Sequence, residues 1–407
     1  MRSPLAINFP KRLDRIELWI FLASGALVLL VSSPLIQTIQ FSLSVIVFIY
    51  ILPWAMLWPV YCFEVIKSSA YRVEIIISGT IIILGILNII LTDSIYNSFN
   101  AMRFFLLSGI IPFWTSFFIF NRQYQRDYFY YFSCCFLFLI ASAEIIAYLL
   151  KSDGLVFTYN PIPLGTLVIL LAAGPLNFLS SESFVKKVVG LVAGSLGLIL
   201  IIITQKRGTF LAVSAMAMAW IFHQYRRSVY TILVMLAVIA FLIPFGWTKY
   251  KSLDNNILSD RSILHRLELY PFAFHVFKKH PVWGTGLRPF THDLYLHDYP
   301  QKNRELTYFA SYVTKQQTFD NMFITAFVEL GTLMTLAYLG LISYVIVNYW
   351  QNMRSFSPNH KAPFIPLLPL IGLAIHSLTY DSLIFPQINW LFHVQLGILA
   401  GYGKAKY

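Results

Sequence analysis

Twelve apolar segments, each near the length of a bilayer crossing, take up most of the 407-residue chain. They fall near residues 16–36, 39–63, 73–92, 100–120, 128–150, 162–179, 185–204, 207–223, 229–246, 319–349, 363–380 and 383–403. A helix of roughly 20 apolar residues covers the hydrocarbon core of a membrane. With 57% hydrophobic residues, 12% charged residues and a mean hydropathy of +0.66, a soluble globular protein is excluded. The expected fold is an all-α polytopic membrane protein of about 12 transmembrane helices, read as one integral-membrane domain over residues 1–407.

Charge then orients the spans. The formal net charge of +12 would point to nucleic acid in a soluble protein, but here the basic residues collect in alternate short connections. Lys67 and Arg72, Arg122 and Arg126, Lys186 and Lys187, Arg226 and Arg227, Arg354 and Lys361, and Lys404 and Lys406 fall on one side. The intervening connections around Gln37, Asp93–Asn100 and Tyr380–Ser382 hold no Lys or Arg, and 151–161 holds Lys151 alone. Both termini are therefore expected in the cytoplasm, and the long polar stretch 247–318, between the ninth and tenth spans, is expected outside as an inserted loop. The first apolar segment follows Arg2, Lys11, Arg12 and Arg15 and lacks a small-residue cleavage site, so it is expected to be retained as a span. Cys62, Cys134 and Cys135 lie within apolar segments without metal-ligand spacing and imply no disulfide framework.

Three polar features interrupt this pattern. The first is Thr204-Gln205-Lys206-Arg207-Gly208-Thr209, between two apolar segments so close that a tight hairpin at the outer face is expected. Its two cations break the charge bias. A guanidinium at the membrane surface can grip phosphate oxygens in bidentate fashion, although a snorkelling pair that sets helix depth has the same sequence. The second is the outer loop, where ten Lys or Arg face six Asp or Glu between Trp247 and Thr318, a surplus that favours an anionic ligand. Within it, Ser259 or Asp260 can cap a helix running toward Lys279, kinked at Pro271 and ended by Pro281, Gly284 and Gly286. Lys278 and Lys279 suit the last turn of that helix, and the loop also holds His265, His275, His280, His292 and His297, too scattered for a metal.

The third feature is Asp320-Asn321 at the start of the tenth span, with Glu329 and Gly331 deeper in it. Capping is the default role for Asp320. Glu329 is a functional candidate unless it finds a partner, for which Arg103 is available. Zinc-type spacing, a phosphate-cradling glycine loop and a Ser-His-Asp order are all missing from the sequence.

Taken in order, Arg207-Gly208, the run Arg266, Tyr270, Ala273, Pro281, Gly284, Gly286, and Asp320-Asn321 with Glu329-Leu330-Gly331 resemble the O-antigen ligase and polymerase superfamily. The resemblance covers most of the chain in architecture and 204–331 in motif. It implies a GT-C-like membrane glycosyltransferase of the bacterial inner membrane, with its active site on the periplasmic face. Arg207 and Arg266 would hold the diphosphate of an undecaprenyl-diphosphate-linked glycan, with Asp320 as the third catalytic residue. Lys206, Tyr270, Arg288, His292, His297 and Asn321 would bind substrate. The family's ligases have His where this chain has Asp320, and a carboxylate near arginines is a weaker base than imidazole. His292 or His297 could serve instead. The implied reaction is metal-independent, cofactor-free and inverting, with a lipid A-core hydroxyl as acceptor; a polymerase extending a lipid-linked glycan is the alternative. A flippase for anionic lipids is disfavoured because no inverted repeat is evident.

Overall fold

The structure, a computed structural model, describes residues 11–31, 72–92, 95–120, 123–150, 161–204, 206–225, 261–286, 299, 319–354 and 362–402. The expected spans at 39–63 and 229–246, and most of the 247–318 loop, lie outside the described residues. Those described are helical, with no strand among them. In chain order they form α1 (Lys11–Val31), α2 (Arg72–Leu91), α3 (Ile95–Phe105), α4 (Ile111–Ile119), α5 (Gln123–Leu149), α6 (Pro161–Leu171) and α7 (Ala173–Leu179). Then come α8 (Phe184–Thr204), α9 (Arg207–Tyr225), α10 (Arg261–Lys279), α11 (Met322–Arg354), α12 (Leu368–Ser377) and α13 (Pro386–Tyr402). Among the described residues six stretches are long and apolar enough to cross a membrane, namely 72–91, 98–119, 125–149, 162–179, 184–204 and 322–352.

The bundle is built around α13, in which every residue from Gln387 to Gly401 is buried against α4, α6 and α11. Between helices that all bear apolar surfaces, close backbone approach replaces the hydrophobic effect as the attractive term. Gly397 supplies that approach, since a Cβ there would collide with the Ser116 hydroxyl and the Phe113 carbonyl on α4. Trp390 lies against Gly25 of α1, its ring beside Phe21 and Phe132. Some polar side chains inside the bundle bond across helices, which compensates for the water that hydrocarbon lacks. A five-residue π segment at Leu106–Ile110 joins α3 to α4 and brings Ser108 to Asn389, whose Nδ2 donates to it at 2.7 Å. His393 Nδ1 donates to the Asn389 carbonyl at 2.8 Å, so its Nε2 can accept from the Tyr338 hydroxyl at 3.0 Å.

The two ends of α13 are chemically unlike. At its C-terminal end Lys186 bonds Asp127 at 2.8 Å and the Arg126 guanidinium stacks over the Tyr402 ring at 3.7 Å, joining three of the basic connections' neighbours into one corner. Seventeen residues at 1.5 Å rise put the opposite end about 25 Å away. There α8 ends at Thr204, α9 begins at Arg207, α12 ends at Ser377 and α11 begins after Asn321. The link between α8 and α9 is as short as the sequence indicates, but the two helices do not pack as a paired hairpin. Instead α8 lies on α5 and α7, while α9 lies on α12 and α6.

A second, smaller apolar cluster sits apart from the main core. Leu269, Phe272, Ala273 and Val276 of α10 pack with Tyr299, Phe319 and Val328. Helix α10 continues through Pro271 and ends at Lys279, as expected from the glycines that follow.

Candidate functional site

The α9 start is set by Gly208, where a Cβ would come within 2.5 Å of the Thr379 hydroxyl and 3.6 Å of the His376 ring. This close approach seats Arg207, which is exposed, beside the connection between α12 and α13. Thr379 itself is fixed by its backbone N–H and hydroxyl, both donating to the His376 carbonyl at 2.9 Å.

Asp320 and Asn321 reach the same connection from α11. Asn321, rather than Asp320, caps that helix: its Oδ1 accepts from the N–H groups of Phe323 and Ile324 at 3.0 and 3.1 Å. Its Nδ2 donates to the Leu378 carbonyl at 3.1 Å, tying the α11 start to the end of α12. Asp320 stands one residue outside the cap, buried, with φ of 52°, in the left-handed region that Asp adopts more readily than most side chains. The capping role expected of Asp320 thus belongs to its neighbour.

The Tyr380 phenol is pushed up to about 12 by burial first and then by the carboxylates of Asp320 and Asp381. Asp381 is buried too. One corner of the bundle therefore sets two carboxylates and a phenol beside the start of α9 that bears Arg207, from three separate connections. Beneath them, His376 faces Thr166, Thr209 and Ser382. Such a set can bind an anion through Arg207 and accept or orient a hydroxyl through a carboxylate. Among the described residues no group of three His, Cys, Asp or Glu is gathered for a metal ion.

The other sequence-expected residues are placed as follows. Lys206 is half-buried just before α9, its carbonyl accepting the Phe210 N–H at 3.1 Å. Tyr270 is half-buried on α10, and Arg266 occupies that helix one turn before Leu269. The Arg266 side chain, with Arg288, His292 and His297, lies outside what is described. Arg103 is exposed and Glu329 is buried. Sequence reasoning missed His376, Tyr380, Asp381 and Ser382. The signal for them was an Asp, a Tyr and a His at the end of an apolar helix with no cation in the same connection.

The remaining motif residues build a junction. At Gly331, φ 70° breaks α11, and the turn after α10 fills the gap. Thr285 and Gly286 donate their N–H groups to the carbonyls of Val328 and Glu329 at 2.9 and 3.1 Å, and Thr332 N–H donates to the Pro281 carbonyl at 3.0 Å. A Cβ on Gly284 would strike the Glu329 carbonyl, and one on Gly331 would strike the Val282 carbonyl and Gly284 N–H. From α2, the Asn88 amide donates to the carbonyls of Trp283 and Glu329.

Residues 192–339 match the family described as O-antigen ligase. Over that segment the chain is similar to the O-antigen ligase/polymerase superfamily. Members are membrane glycosyltransferase-like enzymes. The matched segment contains Arg207, Gly208, Arg266, Asp320, Asn321 and the Gly284–Gly331 junction, and stops before His376 and Tyr380. No curated protein matches the chain.

Proposed function

We propose that this protein is an O-antigen ligase-type glycosyltransferase, transferring a glycan from undecaprenyl diphosphate to a lipid A-core sugar hydroxyl at the outer face of the bacterial inner membrane. The observation that carries the reading is the meeting of the Arg207-Gly208 start of α9 with the Asp320-Asn321 start of α11 at the Thr379–Ser382 connection. The donor already bears its leaving group. Catalysis then needs positive charge on the departing diphosphate, which Arg207 offers and Arg266 would reinforce, together with alignment and deprotonation of the acceptor.

Asp320 is the proposed base. Its carboxylate stands within electrostatic reach of Tyr380, whose neutral phenol can donate a hydrogen bond to a sugar or phosphate oxygen. A single in-line displacement inverts the anomeric carbon and leaves no covalent glycosyl-enzyme. Chelators leave such a reaction unchanged, because the arginines take the place of a divalent cation.

The polymerase reading shares every residue named above and differs in the acceptor. Purified protein in detergent, given a defined lipid-linked donor and lipid A-core, distinguishes them. One glycan block on lipid A-core supports ligation; a ladder still attached to polyprenyl diphosphate transfers the assignment to polymerisation. Absence of donor turnover with either acceptor overturns both and returns the flippase reading.

A further inference from the structure

Below the polar corner lies a cluster that the reaction as described does not use. His376, 1% exposed near the end of α12, has both ring nitrogens facing hydroxyls from other elements. Nδ1 is 3.3 Å from Thr166 of α6 and 3.3 Å from Ser382 of the connection to α13, and these two hydroxyls are 2.8 Å apart. Nε2 is 3.5 Å from the hydroxyl of Thr209, two residues after Arg207.

The proton count favours one arrangement. Thr166 donates to the Ile162 carbonyl at 3.3 Å, which leaves its oxygen to accept from Ser382. Both hydroxyl protons are then committed, and an Nδ1–H shared between the two oxygens satisfies the imidazole on that side. Nε2 is left as an acceptor, and the Thr209 hydroxyl is the donor within reach. A neutral imidazole so held joins α6, α9, α12 and the α12–α13 connection at one point.

We infer that His376 is a positioning residue for Arg207, holding the first turn of α9 through Thr209 while holding Ser382, and so fixing the guanidinium against the Asp320–Tyr380–Asp381 side of the site. The inference rests on the glycosyl-transfer reading given above. Its physical reason is the geometry of the α9 start: α8 leaves in another direction, so Gly208 against Thr379 and Thr209 against His376 help to set where the first turn of α9, and with it Arg207, stands. A guanidinium displaced by about 1 Å from a departing diphosphate forfeits a large part of its effect on rate.

The test is a cycle on the full-length protein in detergent with an undecaprenyl-diphosphate-linked glycan as donor. His376→Ala, His376→Gln and Thr209→Val are each measured alone and combined with Arg207→Lys, which keeps the charge but not the fork. Alone, His376→Ala and Thr209→Val should lower kcat roughly tenfold or more with donor KM little changed, while His376→Gln, whose amide can still meet Thr209, should lose less. In the Arg207→Lys background the same losses should shrink severalfold, because there is no longer a fork to orient. Full losses persisting in that background, or wild-type kcat in Thr209→Val, overturn the inference. Should His376→Ala fail to fold, Thr209→Val carries the test, being nearly isosteric. A wild-type rate in Arg207→Lys and Arg207→Ala would instead sink the glycosyl-transfer reading itself, an outcome separable from additive losses beneath an essential Arg207.

Discussion

The polar corner around Arg207 and the junction at Gly331 both draw on the same matched segment, yet they work in opposite ways. At the corner, side chains from α9, α11 and the α12–α13 connection present charge, and the backbone serves only to aim them. At the junction the backbone is the main content: carbonyls and N–H groups left open by the break in α11 are satisfied by the turn after α10, with the Asn88 amide and the Thr332 hydroxyl adding to them. A motif residue in a membrane enzyme can thus mark chemistry or mark an irregular backbone that must be closed before it can sit near lipid. The two kinds respond differently to substitution.

The largest effect is expected at the corner. Arg207→Ala should lower kcat roughly a hundred- to a thousandfold, the usual loss when a preorganised charge is removed from a developing anion, with an unchanged melting temperature in detergent. Near-normal turnover would take Arg207 out of the site. Gly331→Val makes the complementary prediction: a β-branched side chain at φ 70° that also overlaps Val282 and Gly284 should cost on the order of 3 kcal/mol, read as a large fall in melting temperature. If Gly331→Val melted normally yet lost activity, the division between chemistry and architecture would fail.

The sequence exposed the first kind of residue better than the second. Arg207 stands out because a cation in a connection expected at the outer face departs from the charge bias, and α8, α9 and α11 are legible because their apolar runs have the length of a crossing. What lies between Gly284 and Gly331 is not, since the pairing of two glycines across 46 intervening residues is a backbone hydrogen-bond pattern with no local signature. Asp320 was read as a cap because an acid at a helix start usually is one, and only the positive φ and the Asn321 bonds show the shift by one position. His376 and Tyr380 stayed hidden in an apolar context whose partners, Thr166 and Asp320, come from distant sequence.

Neighbouring substitutions at 320 and 321 bring the same contrast down to two adjacent residues. Asp320→Asn keeps the side-chain volume and removes the base, so it should lower kcat by roughly a hundredfold without altering the helix start. Asn321→Ala removes the cap and the bond to Leu378, and should cost about 1 kcal/mol of stability with a smaller loss of turnover. Reversed behaviour, with Asp320→Asn destabilising and Asn321→Ala inactive, would exchange their roles.

The smallest effect concerns proton affinity. Tyr380 is pushed up to about 12 because burial and the two carboxylates beside it disfavour a phenolate. A phenol raised in the folded state contributes stability that is fully present below the ordinary tyrosine value near 10 and is lost as pH rises from there through about 12. Turnover should consequently show no limb from Tyr380 between pH 6 and 9, while the absorbance difference at 295 nm between the native protein and Tyr380→Phe should show one phenol titrating late. Asp320→Asn removes one of the two carboxylate contributions but not the burial, so that late titration should move only part of the way down. An unmoved titration would mean that the Asp320 charge is not felt at Tyr380, and the corner would then lose the electrostatic link between α11 and the α12–α13 connection.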